Sequence, residues 1–158
     1  VEAAYVELEA QAGAPLLPSN PVWTNLLAAL KACGDPQVPV LLLDQAPRRF
    51  RLGLKFKRDP AWAADTVAAA MDAALRQRFR FEARALGQPV QSSDIIATLH
   101  SVPGVLAVDL DALYLAGSPP SLASRLLAAD LRVLGSNAAA AELLTLADGP
   151  LDHLGEMS

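Results

Sequence analysis

The succession strand, helix, strand, strand, helix, strand predicts an α+β domain of ferredoxin-like βαββαβ order, a four-stranded antiparallel sheet with helices on one face. Three stretches carry that expectation. From Arg48 to Lys57, Phe50, Leu52, Leu54 and Phe56 occupy every second position, while Arg49, Arg51, Lys55 and Lys57 fill the alternate ones around Gly53. Period two places one face on a core and the other in water, and a helix would scatter the same charges all round its axis. Before this strand lies a segment punctuated as a helix, and after it a longer one with apolar residues at helical spacing.

Taken in order, Ala3–Ala10 alternates weakly and reads as the first strand, and Gln11–Pro18, broken by Gly13, Pro15 and Pro18, as a loop. Ser19 or Asn20 can cap the first helix, Pro21 suits its first turn and Gly34 its stop. Val22, Leu26, Ala29, Leu30 and Cys33 form its expected inward stripe, with Trp23 beside it. Val38–Leu43 is apolar on both faces, and Pro39, lacking a ladder donor, favours a sheet edge. Gln45-Ala46-Pro47 then predicts a turn, so this strand and the basic one should form a hairpin.

Asp59-Pro60 opens the second long helix, to about Phe79, with Val67, Ala70, Met71, Ala74, Leu75 and Phe79 inward and Arg76, Arg78 and Arg80 at its cation-favouring end. A connection over Ala83–Gln91 leads to a short helix capped by Ser92, with Ile95, Ile96, Leu99 and Val102 inward, stopped by Pro103-Gly104. Leu106, Val108 and Leu110 alternate with Ala107, Asp109 and Asp111 as the fourth strand. Composition shifts after residue 117, so 1–117 is expected to be the domain. Residues 118–158 are expected to be an irregular extension holding at most a short helix and a strand at Glu142–Leu146.

The 158 residues are 53% hydrophobic and 19% charged, which is globular and large enough to fold without a metal or disulfide staple. A net charge of −4 gives no general pull on nucleic acid or anionic membrane. Cys33 is the single cysteine, so no internal disulfide forms. No apolar run reaches the roughly 18 residues of a membrane span, and no basic-then-apolar signal opens the sequence. The chain starts at Val1 and enters strand-like sequence almost at once, as expected of a piece of a longer protein.

The residues that carry chemistry are few. His100 and His153 stand apart, Cys33 falls on the inward stripe as a packed thiol, and three such scattered ligands do not make a zinc site. Phosphate-binding loops, nucleophile elbows and metalloprotease motifs are absent from the sequence, so no catalytic residue, cofactor or metal is expected. Asp109 and Asp111 point the same way from one strand and should offset the cations of the basic strand. Candidate partner-interface residues are therefore Arg49, Arg51, Lys55, Lys57, Asp109 and Asp111. An open sheet of this kind can bind RNA by stacking bases on aromatics. Both aromatics of the basic strand are assigned to the core, so nucleic-acid binding is disfavoured and protein contact favoured.

A set of segments in this chain, spread along it in order, bears a resemblance. They are Arg49-Phe50-Arg51-Leu52 with Asp59-Pro60, Leu75-Arg76-Gln77-Arg78-Phe79, Phe81 through Gly87-Gln88-Pro89-Val90, Ser92-Ser93-Asp94-Ile95-Ile96, Val102-Pro103-Gly104-Val105 before Val108-Asp109-Leu110-Asp111, and Glu142–Leu146. Together they resemble the C-terminal portion of the baseplate J-like proteins, baseplate assembly proteins of contractile phage tails and related injection particles. The likeness runs from about Pro21 to Leu146. It implies a structural, non-enzymatic wedge component that binds other baseplate subunits or copies of itself, with no small-molecule substrate. It also implies assembly in the bacterial cytoplasm followed by residence in the particle. The Val38–Leu43 edge and the Glu142–Leu146 strand are expected surfaces for strand addition. A ferredoxin-like regulatory module that binds a small molecule and dimerises through its sheet is the alternative.

Overall fold

A computed structural model describes residues 4–8, 18–35, 37–38, 40–134 and 137–157, with the backbone alone for 4–8 and 134. In chain order the elements are β1 (Ala4–Leu8), α1 (Pro21–Cys33), β2 (Val40–Asp44), β3 (Ala46–Arg58), α2 (Ala64–Arg78), β4 (Val90–Gln91), α3 (Ser92–His100), β5 (Val105–Leu115), β6 (Arg125–Leu126), β7 (Arg132–Leu134), β8 (Asn137–Ala139), β9 (Glu142–Leu146) and β10 (His153–Glu156). The protein is mixed α+β. It divides into two compact units, Val1–Ala46 with Asp130–Ala141 and Pro47–Ala129 with Glu142–Ser158. The expected boundary at 117/118 is not where the units part.

In the first unit β1 and β2 pair in parallel, Ala4 opposite Val40 through Leu8 opposite Asp44, with α1 as the crossover. This corrects the expected hairpin. A helix between two strands returns the chain to the same end, which makes the pair parallel, and an apolar run without alternation suits a parallel pair. One residue, Gln45, separates β2 from β3, and the two strands do not pair among the described residues. The Asn20 side chain caps α1, accepting from the Val22 N–H at 2.9 Å, and the Gly34 N–H donates to the Leu30 carbonyl at 2.8 Å. The half-buried stripe is Trp23, Leu26, Leu27 and Leu30, and Val22 and Cys33 are exposed. Cys33 is therefore not the packed thiol expected from the stripe. β7 and β8 form a separate antiparallel hairpin. Pro39 and most of the Gln11–Pro18 loop lie outside the described residues.

The second unit is built on β3. Phe50, Leu52 and Leu54 are fully buried and Phe56 is 2% exposed, as period two predicts. They join one core cluster with Val67, Met71, Leu75 and Phe79 from α2 and its C-cap, Ile95 and Leu99 from α3, Leu110 and Leu113 from β5, and Leu144 and Leu146 from β9. α2 starts at Ala64, later than expected. Asp59 instead folds the preceding turn, its carboxylate accepting from the Ala61 N–H at 2.9 Å. Ser92 is the first residue of α3, which has Gln91 at its N-cap and no side-chain cap.

The sheet around β3 has four strands and is mixed, which corrects the strictly antiparallel expectation. β5 pairs antiparallel on one edge, from Phe50 opposite Leu115 to Arg58 opposite Val105. The other edge is taken by β9 and then β10. β10 is parallel, His153 opposite Gly53 and Glu156 opposite Phe56. Backbone bonds keep the C-terminal segment in step with β3: Ala147 N–H donates to Phe50, Asp152 to Leu52 and Met157 to Phe56, at 2.9, 3.1 and 2.7 Å. The strand at Glu142–Leu146 thus exists where the sequence predicted it, but it is consumed inside the chain. Gly104, φ 88°, closes the turn into β5, and a Cβ there would lie 2.7 Å from the Trp62 ring, so the indole packs directly on the glycine backbone. Among the described residues of 118–141 there is no helix, and among all described residues no helix is long and apolar enough to cross a membrane.

Candidate functional site

The candidate site is the face of this sheet turned away from the core. Direct cross-strand partners share a face. Arg51 therefore stands beside Tyr114, Gly53 beside Ala112 and His153, and Lys55 beside Asp109 and Gly155. The register slips once here: Gly53 faces Ala112 and Leu54 faces Leu110, which leaves Asp111 unopposed as a bulge. Asp111, two residues beyond Lys55's direct partner, meets the Lys55 ammonium at 3.3 Å. Asp109 is exposed and outside that pair.

Most of the cations of the basic strand are answered by acids of the C-terminal segment. Arg48 meets Glu142 at 3.4 Å, Arg49 meets Asp148 at 3.6 Å, and Arg58 meets Glu156 at 2.8 Å. Arg49 also donates to Thr145 Oγ1 at 3.1 Å. Arg51 donates through Nε to Asp152 Oδ1 at 2.6 Å, and the buried Tyr114 donates its hydroxyl to the other carboxylate oxygen. Lys57 is exposed and has no ion-pair partner among the described residues. Of the six residues proposed from sequence, then, Arg49, Arg51, Lys55 and Asp111 are engaged within the chain, and Lys57 and Asp109 remain open. The middle of the face is floored by small residues. The His153 imidazole lies over Gly155, where a Cβ would come within 2.5 Å of Nε2.

Asp152, just before β10, and Tyr114 bond each other and were not found from sequence. The Arg51 guanidinium, with help from the Tyr114 hydroxyl, holds the Asp152 carboxyl below its usual range against the opposing effect of burial. Tyr114 is raised above its ordinary value, chiefly because its proton is bonded to Asp152 and secondarily by burial. A depressed acid stabilises above its unfolded pKa, about 3.9, and loses that contribution as pH falls through the lower folded value. A raised tyrosine stabilises below about 10 and loses its contribution as pH rises through the higher folded value. Hydrogen-exchange protection of Asp152–Met157 is therefore expected to be flat between those limits and to fall outside both. In a Tyr5→Phe background, the absorbance titration of Tyr114 should move to lower pH when Asp152 is changed to Asn. An unmoved titration would mean the hydroxyl does not bond that carboxylate.

Elsewhere in this unit the polar groups are structural. Arg84 is 8% exposed, with Nε donating to the Leu144 carbonyl at 3.2 Å and Nη2 to the Gln88 and Pro89 carbonyls at 2.8 Å each. A groove of about 340 Å³ between α2 and the C-terminal segment is lined by alanines, Pro150, Leu151, Leu154 and the Asp72–Arg76 pair. That pair is bidentate, at 2.7 and 3.0 Å, and Arg76 also donates to the Gly149 carbonyl. The groove offers no further titratable group to a ligand. Among the described residues no three His, Cys, Asp or Glu side chains converge as metal ligands, and His100 is an exposed residue ending α3. The arrangement can present a patterned, charged protein surface. No protein-family model and no curated protein matches the chain.

Proposed function

We propose that this chain is a structural component of the baseplate of a contractile phage tail or phage-like injection particle, working by protein–protein assembly rather than catalysis. The observation that carries the reading is where the family-like segments fall. Arg49–Leu52, Asp59-Pro60, Leu75–Phe79, Phe81–Val90, Ser92–Ile96, Val102–Asp111 and Glu142–Leu146 all belong to the second unit, where they supply the central strand, its helices and its turns. The outer sheet face supports the same reading, because its charges are held in fixed positions by partners within the chain. A pre-ordered surface loses little side-chain freedom on docking.

Purification of contractile particles from producing cells tests this. The chain, or a longer protein containing it, should co-sediment with sheath and tube proteins and be found at the plate end by labelled antibody. Lys57→Glu is expected to leave the isolated fold unchanged and lower the yield of assembled particles, because Lys57 is outward and holds no ion pair among the described residues. Recovery of the chain entirely apart from particles, or particle yield indifferent to several outer-face reversals, would remove the reading.

A further inference from the structure

β5 has two edges, and only one is fully used. β3 lies along the first. The second is closed near its C-terminal end by Ser121–Ala123, where the Leu113 N–H donates to Ser121 at 2.8 Å and the Ala123 N–H to Leu113 at 3.1 Å. From Val105 to Asp111 no strand among the described residues pairs with it. Such a row of backbone donors and acceptors is a template for another strand.

Two features give this edge a chemistry. Asp109 is exposed on the outer face, and the lysine directly across from it bonds Asp111 instead, so one carboxylate there lacks a cation among the described residues. At the N-terminal end a second register slip leaves Leu106 unopposed and 53% exposed. Trp62, 43% exposed, packs on Gly104 two residues earlier. A strand laid on this edge would bring its own side chain within about 5 Å, Cβ to Cβ, of that of Asp109. A like charge at that range is repelled and a cation is favoured. A second copy of the same edge paired about Asp109 would set carboxylate against carboxylate, so the acid that disfavours self-pairing in that register also chooses the guest.

We propose that the Val105–Asp111 edge of β5 accepts an extended segment of a partner protein with a Lys or Arg opposite Asp109 and an apolar residue to meet Leu106 and Trp62. This rests on the assembly reading for its purpose, though not for its chemistry.

The test uses the 158-residue chain and a short, end-blocked, fluorescent peptide alternating lysine and valine and closing on leucine, read by anisotropy. Saturable binding is expected, weakened about tenfold or more by Asp109→Lys. It should be abolished when alternate peptide nitrogens are methylated, and absent when glutamate replaces lysine. In a Trp23→Phe background the Trp62 emission should shift on binding. Equal binding of the methylated peptide would reduce the effect to ionic attraction and overturn the proposal. Binding indifferent to Asp109→Lys would place it elsewhere, and no binding at all would make the edge merely a protected one. The methylated peptide probes the unaltered protein, so a folding defect in the variant cannot imitate success. Failure here leaves particle co-sedimentation untouched, and failure there leaves this binding untouched.

Discussion

Replacing Arg84 by alanine is expected to destabilise the second unit by on the order of 3 kcal/mol, more than the loss of any surface ion pair in the chain. Three carbonyls, of Leu144, Gln88 and Pro89, accept from this one guanidinium. Its central carbon lies 5.5 Å from the Phe79 ring centroid, with Arg78 5.6 Å from the same ring. Burial, and the neighbouring charge of Arg78, lower the Arg84 pKa, with Asp94 acting against them. An arginine stays charged under such a shift, and its planar fork can serve acceptors from two directions at once. The contact ties the Gly87-Gln88-Pro89 turn to β9, the strand that fills half of one edge of β3. Arg84→Lys keeps the charge but has no fork, and should recover less than half of the loss. Arg84→Met keeps the stem and the packing on Phe79 while leaving the carbonyls without a donor. Urea midpoints for the three variants should therefore rank wild type, Lys and Met, with Ala lowest. A methionine variant as stable as wild type would mean that the buried charge is tolerated and the carbonyls are satisfied otherwise.

How far the fold was legible follows from which physical signals leave a mark in sequence. β3 was legible because alternation over Phe50, Leu52, Leu54 and Phe56 fits a half-buried strand and conflicts with a helix. α1 and its caps were legible because Asn20, Pro21 and Gly34 each do one local job. Its inward face was read one position off, because Val22 and Cys33 extend an apolar stripe as plausibly as Trp23 and Leu27 do. The partner of β2 was not legible, since a strand–helix–strand order fits a parallel crossover as well as a split antiparallel sheet. β10 left almost no trace. His153-Leu154-Gly155-Glu156 neither alternates nor favours a strand, and it is held in register by β3. Losing β10 meant losing Asp152 and Glu156, and with them the fact that the basic strand is largely neutralised from within. The bulge at Asp111 was equally hidden, because register is a property of two strands together. The unpaired edge of β5 became visible only once its one partner was known.

Truncating the core positions of β3 is the other change of large expected effect, and it separates the two faces of that strand. Phe50→Ala should cost about 3–5 kcal/mol, and the Leu52 and Leu54 equivalents about 2–5 kcal/mol each. Phe50 is fully buried and meets Phe79 edge to face, with centroids 5.3 Å apart and planes at 86°. It loses that contact as well as its transfer free energy. Against a typical domain stability of about 5–15 kcal/mol, a single such change removes a large share of the total. Alanine at Lys55 or Lys57 leaves the core untouched and should not move the midpoint beyond error. Because the chain has two units, one transition need not describe it. A Trp23→Phe background leaves Trp62 as the sole indole and reports on the second unit alone. The expected profile along the strand is a sawtooth, large at even positions from 50 to 56 and small at 55 and 57. A flat profile would show that the helices do not rest on these side chains. The sawtooth would establish that β3 is the strand on which α2, α3, β5 and the C-terminal segment all depend, and that the exposed Lys55 and Lys57 side chains contribute little to the fold.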